Sequence, residues 1–229
     1  MASNKTLVAV TVDVIRVLVV DDHPIIRRGL AQLFKQVPGL ELAGEVETPE
    51  EAIPIVQAGL ADIVLLDLSL KDCSGIEVIP RLLRERPDQR ILVLSMHDEI
   101  IYAERALRAG ARGYIMKEES TDHVVEAIRR ICEGGIYLSE RVSHRLLDKA
   151  VGGRARGPHF PVESLTNREL QVFEMFGQGM GTRQLADQLK LSVKTVEVHR
   201  ENIKRKLKVS GSNDMLRHAI EWVQSGKAY

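Results

Sequence analysis

The sequence predicts two domains of different class: an α/β doubly wound domain with a five-stranded parallel sheet over residues 14–137, and a small all-α domain of four helices over 161–229, joined by a linker at 138–160. Three observations carry this. Through the first half, short apolar runs alternate with amphipathic segments, the pattern of parallel strands joined by right-handed helical crossovers. Residues 161–229 show only short helical patterns broken by tight turns, the third of them rich in cations. The formal net charge of +0 also hides an asymmetry: residues 1–140 carry 16 Lys+Arg against 23 Asp+Glu, whereas residues 160–229 carry 11 against 8. An acidic front and a basic back suit two domains with different partners, the back one a polyanion.

Ile15–Val20 is an apolar strand closed by Asp21-Asp22. His23-Pro24 opens a helix over 24–34, with proline in the first turn where its missing N–H is not needed. Leu40–Val46 reads as a second strand, and 49–58 as a helix that Pro54 is expected to bend. Ile63–Leu66 is an unbroken apolar run ending at Asp67, the mark of a strand buried on both faces. A helix over 75–86 and a strand over 91–95 follow. A helix at Glu99–Ala109 stopped by Gly110, a strand at Gly113–Met116 and a helix over 121–133 stopped by Gly134-Gly135 complete the domain.

In such a sheet every strand delivers its C-terminal end to one edge, where ligands bind. Those ends carry Asp21, Asp22, Asp67, Ser95 and, just past Met116, Lys117. Carboxylates gathered in one crevice repel one another, and burying unpaired charge is costly. A divalent cation is therefore expected, and Mg²⁺ suits one or two carboxylates plus a substrate phosphate. Lys117 offers a compact ammonium to a phosphoryl oxygen, and Ser95 a hydroxyl. Carboxylate nucleophile, metal, ammonium and hydroxyl together make a phosphoryl-acceptor site, with Asp67 as the reacting group. Singly, the acids read as helix caps, Ser95 as a strand-end hydroxyl and Tyr114 as a core aromatic; their joint placement favours the site. His97 and His123 lack such company and read as surface or loop residues.

The pair Asp21-Asp22, the D-L-x-L-x-x-x-S-G run from Asp67 to Gly75, Ser95 and the G-Y-I-M-K run ending at Lys117 resemble the receiver domain of two-component response regulators. That resemblance implies a flavodoxin-like fold with strand order 2-1-3-4-5. It implies that Asp67 takes a phosphoryl group from the phosphohistidine of a sensor histidine kinase. Mg²⁺ would be held by Asp22, Asp67 and the backbone carbonyl of Ser69, with Asp21 helping through water. Lys117 and Ser95 would grip the phosphoryl group, and Tyr114 would turn inward as the Ser95 hydroxyl moves toward it. Apart from self-phosphorylation from a phosphodonor and slow autodephosphorylation, no enzyme activity is implied. Two positions depart from the family: Lys71 and Glu118 stand where proline is frequent, so no cis peptide is expected after Lys117.

Between the halves, 136–139 leads into an amphipathic turn to about Ala150, and G-G-R-A-R-G-P at 152–158 reads as a flexible basic linker. Arg154 and Arg156 are either solvated linker charge or phosphate contacts. Thr166 and Glu169 form a T-x-x-E capping box for a helix over 167–176. A Gly-rich break at 177–181 precedes a short helix over 182–189; Ser192 caps Val193–Leu207, and a last helix spans 213–223. At about 100° per residue, Val196, Ile203 and Leu207 face inward, while Lys194, Glu197, Val198, Glu201 and Arg205 fall on the opposite face, available to a major groove. Lys204, Lys206 and Lys208, with Arg200 at a flank, are placed for phosphate, and Thr195 beside Lys194 joins the expected contact set. Glu201 either accepts from a cytosine amino group or pairs with Arg205 one turn on. His199 reads as a packed residue at the inward edge.

L-T-N-R-E-L from Leu165 and S-V-K-T-V-E-V-H-R-E-N-I-K-R-K-L from Ser192 resemble a LuxR-type helix-turn-helix DNA-binding domain; joined to a receiver, it makes the NarL/FixJ class of response regulator. Gly181 stands where that family usually caps the second helix with serine. On the last helix, Met215, Ala219 and Trp222 form one stripe, read as a dimer face or as core; Leu216, Ile220 and Val223 form a second, read as core.

Cys73 and Cys132 have no disulfide-framework or zinc spacing, and no apolar run reaches membrane-spanning length. The apolar 7–10 run continues past Asp13 and Arg16 into a strand without a cleavage site, so it does not read as a signal peptide. A reducing, cytoplasmic setting is expected, with no membrane partner. The implied function is a phosphorylation-switched transcription regulator, with a sensor histidine kinase, double-stranded DNA and, when phosphorylated, a second copy of itself as partners; RNA polymerase is left open. Two other classes compete. A haloacid-dehalogenase-type phosphohydrolase also uses a strand-end aspartate, but with a second aspartate two residues on, where Ser69 stands. A DNA binder that uses its receiver only to dimerise would not respond to a phosphodonor.

Overall fold

Alternation inside the apolar runs decides the layers. β1 (Ile15–Val20) sends Leu18 and Val20 to one face of the sheet and Val17 and Val19 to the other, all buried, because successive strand side chains point to opposite sides. β3 (Ile63–Leu66) and β4 (Arg90–Ser95) divide in the same way. With β2 (Leu40–Val46) and β5 (Gly113–Met116) they form one five-stranded parallel sheet of order β2-β1-β3-β4-β5, the doubly wound order expected. One face is covered by α1 (Pro24–Gln36) and α5 (Thr121–Cys132), through Leu30, Phe34, Ile128 and Ile131. The other is covered by α2 (Pro49–Gln57), α3 (Gly75–Glu85) and α4 (Glu99–Ala109). This computed structural model describes residues 14–70, 73–151 and 161–225.

Helix ends follow their local chemistry. α2 begins at a full capping box, Thr48 with Glu51, and runs on past Pro54 to Gln57. α4 stops where Gly110 takes φ +109°, a left-handed conformation that favours glycine. The amphipathic stretch after Ser139, placed in the linker by sequence, is a full helix, α6 (Glu140–Ala150), with the Ser139 hydroxyl accepting from the Val142 N–H. Only Val142 of α6 is buried. Ion pairs fix it instead: Lys149 to Glu104 of α4 at 2.6 Å, and Arg145 to Glu163. The 152–158 linker with Arg154 and Arg156, the 7–10 run and Lys71 lie outside the described residues.

After a short 3₁₀ turn, Pro161–Ser164, come α7 (Asn167–Gly177), α8 (Thr182–Gln188), α9 (Val193–Leu207) and α10 (Ser212–Ser225). Their core holds Leu170, Phe173, Leu185, Val196 and Ile203. α7 and α10 touch backbone to backbone: a Cβ on Gly177 would lie 2.3 Å from the Ala219 carbonyl oxygen. Met215 and Ala219 therefore face α7 and are fully buried, while Ile220 stays 37% exposed. In the stripe read as a dimer face or core, Met215 and Ala219 are core while Trp222 is half-buried, and part of the stripe read as core faces outward.

Candidate phosphoacceptor pocket and nucleic-acid interface

Register brings the acids together. Val20 of β1 pairs with Leu66 of β3, and the Asp67 N–H donates to the Val20 carbonyl at 2.9 Å, so Asp21 and Asp67 leave adjacent strands side by side. β1 feeds α1 on one face and β3 feeds α3 on the other, which opens a crevice between them at the strand ends. On the far side Ser95 pairs with Met116, and the Lys117 N–H donates to the Ser95 carbonyl at 2.9 Å. The Lys117 ammonium then reaches across to Asp21 Oδ2 at 2.7 Å and Asp67 Oδ2 at 2.8 Å. Asp21, Asp22, Asp67 and Ser95 are all buried, and the Lys117 side chain is 4% exposed. Ser69, on the loop after β3, turns its backbone N–H back to Asp67 Oδ1 at 3.1 Å.

That loop depends on Gly75. A Cβ there would sit 2.3 Å from the Asp67 carbonyl oxygen and 2.6 Å from Leu68 Cα, both backbone atoms that cannot swing away. Gly75→Ala is expected to lower stability by about 1–3 kcal/mol through overpacking, seen as a lower denaturant midpoint, and to slow phosphoryl uptake in the folded fraction. An unchanged midpoint would show that the loop tolerates the methyl group.

Asp22 Oδ1 and Asp67 Oδ2 are buried and short of donors among the described residues: the first is approached by His23 Nδ1 at 2.9 Å, the second by the Lys117 ammonium at 2.8 Å, and neither contact is an aligned hydrogen bond. A buried carboxylate oxygen without a donor is destabilising, and a hard divalent cation relieves it. Asp21, Asp22, His23 and Asp67 each bring one ligand atom within 4.8 Å of the others. The pocket therefore fits Mg²⁺ or a similar ion. His23 is a residue the sequence reading missed: there it only opened α1, yet its Nδ1 lies 2.9 Å from both Asp21 Oδ1 and Asp22 Oδ1.

His97 is the second miss, and it joins the pocket to the other domain. Its backbone N–H donates to Ser95 Oγ at 3.2 Å, its carbonyl accepts from the Tyr114 hydroxyl at 2.8 Å, and its Nε2 lies 3.0 Å from Ser69 Oγ. The ring stacks on Tyr102 of α4 at 4.5 Å between centroids. The Tyr102 hydroxyl donates at 2.7 Å to Glu174 of α7, which also bonds the Trp222 indole of α10. Burial, aided by the Glu174 charge, pushes the Tyr102 phenol well above its usual range, and burial raises the Glu174 carboxyl. Arg105 adds bonds to the Asn167 side chain and to the Val162 and Glu163 carbonyls. Tyr114 is already inward and almost wholly buried, where burial drives its phenol far up. His123, by contrast, pairs only locally with Glu119.

In α9, Val196 and Ile203 point inward as expected, while Lys194, Glu197, Val198, Glu201 and Arg205 are exposed on the opposite face. Three cations assigned to phosphate, Arg200, Lys206 and Lys204, have partners within the domain. The Arg200 guanidinium lies 4.4 Å over the Phe176 ring and donates to Thr182 at 2.6 Å; Lys206 holds the buried Glu169 of the α7 capping box at 2.6 Å. Glu201 pairs with Lys204 at 2.5 Å rather than with Arg205, which donates to Asn202. Thr195 is engaged locally: its backbone N–H donates to the Ser192 hydroxyl that caps α9, and the two hydroxyls lie 2.7 Å apart. His199 is half-buried, and burial followed by the Arg168 charge lowers its basicity. At Gly181 the backbone N–H donates to the Gln184 side chain at 2.8 Å, so half a capping box replaces the missing serine.

Known proteins agree with this geometry. Residues 17–129 match the response regulator receiver domain, and residues 163–219 match the bacterial regulatory proteins of the luxR family. The chain is 37% identical to the nitrate/nitrite response regulator protein NarP of Escherichia coli K12, covering 85% of this chain and 89% of NarP. It is 35% identical to the transcriptional regulatory protein UhpA of the same organism, covering 90% and 98%. Among solved structures, RcsB from Salmonella enterica serovar Typhimurium, bound to promoter rprA in the presence of the phosphomimetic BeF3-, shares the fold with a TM-score of 0.65 at 23% identity, over 90% of this chain and 98% of that one. An acidic strand-end pocket docked to a helix-turn-helix unit, matched along its length by such relatives, places this chain among the two-component response regulators of the NarL/FixJ class.

Proposed function

We propose that Asp67 accepts a phosphoryl group from a sensor histidine kinase, and that the added charge loosens the docked DNA-binding domain. The observation that carries this is Asp67 itself: a buried carboxylate with one oxygen lacking a hydrogen bond, 2.8 Å from the Lys117 ammonium and beside two further acids. A carboxylate oxygen attacks phosphorus, the phosphorus–nitrogen bond of the donor breaks, and an acyl phosphate forms. Lys117 steadies the charge on the transferred oxygens, and the Ser95 hydroxyl donates to one of them. Asp21, Asp22, Asp67 and the Ser69 carbonyl would hold Mg²⁺, which neutralises charge on the transferring group. Later loss of the phosphoryl group to water resets the protein. Labelling with acetyl phosphate, mapped by mass spectrometry, tests the assignment; a label confined to any other residue would overturn it.

Tyr114 already lies inward, and the route proposed for the signal runs through the residue whose carbonyl its hydroxyl meets. The tie is His97, held by Ser95 and Ser69 on the pocket side and by Tyr102 and Glu174 on the other. A phosphoryl group that recruits the Ser95 hydroxyl pulls on that tie. Because the reading face of α9 is exposed while Trp222 and Val223 of α10 line the cleft between the domains, release acts first on α10. It frees that helix to pair with a second copy, so that the homodimer presents two α9 helices to double-stranded DNA.

On that reading the receiver spans 14–137, the linker 138–160 with α6 inside it, and the DNA-binding domain 161–229. Lys194, Thr195, Glu197, Val198, Glu201 and Arg205 meet the major groove. Lys204 and Lys208 meet phosphate, while Arg200 and Lys206 act by holding α9 in place. Lys204→Ala is expected to weaken binding to all DNA about equally and to reduce the salt slope by about 1; a loss restricted to one sequence would contradict the phosphate role. Cytoplasmic action fits these partners, and contact with RNA polymerase stays open. No helix among the described residues is long and apolar enough to cross a membrane.

A further inference from the structure

We propose that His23 supplies a nitrogen ligand to the divalent cation of the acidic pocket, so that the pocket favours first-row transition-metal ions over Mg²⁺. This rests on the reading of that pocket as a cation site and adds a donor that the receiver resemblance does not assign. The His23 Nδ1 lies 2.9 Å from Asp21 Oδ1, 2.9 Å from Asp22 Oδ1 and 3.5 Å from Asp67 Oδ2. Neighbouring ligand atoms around an octahedral ion bound at about 2.1 Å stand about 3 Å apart. That nitrogen hydrogen-bonds Asp21 Oδ1, so an entering ion displaces the shared proton and finds the nitrogen already at the spacing of a further corner of the same polyhedron. Two of those three oxygens, Asp22 Oδ1 and Asp67 Oδ2, are buried and make no aligned hydrogen bond, with the Lys117 ammonium 2.8 Å from the latter, so both keep lone pairs for an ion.

Local backbone explains why the ring turns inward. His23 is the N-cap of α1, with extended φ −93° and ψ 106°, yet its side chain makes no capping bond. Its backbone N–H is instead tied to Asp21 Oδ1 at 2.8 Å, and Pro24 restricts the residue before it to extended conformations. The ring therefore folds back over the strand ends, with about half of the side chain open to solvent and to an entering ion. Carboxylates and carbonyls alone suit Mg²⁺, whereas an imidazole nitrogen shifts preference toward Co²⁺, Ni²⁺ or Zn²⁺.

The test uses the full chain and two probes. Loaded with Mn²⁺, the wild type is expected to show ¹⁴N modulation of the manganese signal in pulsed electron paramagnetic resonance, and His23→Ala to lack it. By calorimetry, His23→Ala is expected to weaken Co²⁺ binding roughly tenfold, and Mg²⁺ binding by less than about twofold. Saturable binding without nitrogen coupling, coupling that survives in the variant, or equal losses for both ions would overturn the role of His23 and leave the pocket intact. Failure of the wild type to bind any of these ions saturably would overturn the cation site itself.

Discussion

Asp67→Asn is expected to abolish acyl-phosphate formation, with the mass added by acetyl phosphate and Mg²⁺ lost in full. The expectation is all-or-none because the amide oxygen is a poor nucleophile, while the site around it survives. Asparagine keeps the oxygen that accepts from the Ser69 N–H at 3.1 Å, and the strand it ends is buried on both faces. Asp21 also lies near Lys117, at 2.7 Å, and is the carboxylate best placed to compete. Its Oδ1 is already occupied by the His23 backbone N–H and ring. Labelling of the variant at the wild-type level, measured on the intact chain, would move the acceptor away from Asp67.

Tyr102→Phe is expected to undock the DNA-binding domain without touching either functional surface. The phenol donates its only hydroxyl to Glu174 across the interface at 2.7 Å. Removing it leaves a buried carboxyl short of a donor, a loss of about 1–3 kcal/mol, or roughly 5- to 150-fold in the docking equilibrium. Small-angle scattering should show an expanded chain, and the DNA affinity of the unphosphorylated protein should approach that of the phosphorylated one. An unchanged scattering profile would mean that the Arg105 contacts hold the domains alone.

The same contact carries a pH dependence. Burial raises the Glu174 carboxyl, so the docked form holds its proton more tightly than the undocked form. Docking is then strongest below the ordinary carboxylate pKa and weakens as pH rises through the raised value. His97, Tyr102, Arg105 and Trp222 face this carboxyl, and none of them changes under Glu174→Gln, which should flatten the profile while keeping the docked state.

The chemistry of the pocket was legible because its parts sit at strand ends, and strand ends are visible as the last residues of apolar runs: Asp21, Asp22 and Asp67 cluster within reach of Lys117, and Ser95 ends the neighbouring strand. The strand order came from the family resemblance, since periodicity alone does not order a sheet. What escaped has a common cause. His97 looked like a loop residue because its partners Ser69, Tyr102 and Glu174 come from three separate elements. His23 looked like a helix opener because nothing in a linear pattern shows a side chain turning back over the strand end. On α10, helical period offered two adjacent stripes, and the choice between them lies in Gly177 on another helix. Arg200 and Lys206 carried the right charge for phosphate, but Phe176 and Glu169 claim them first.

Trp222 is the sole tryptophan of the chain and lines the cleft between the domains, so its fluorescence reports docking. Adding acetyl phosphate with a divalent cation should shift wild-type emission to the red as the indole meets water, and should leave Asp67→Asn unchanged. No shift in the wild type despite confirmed phosphorylation, or the same shift in Asp67→Asn, would contradict a coupling between the pocket and the DNA-binding domain.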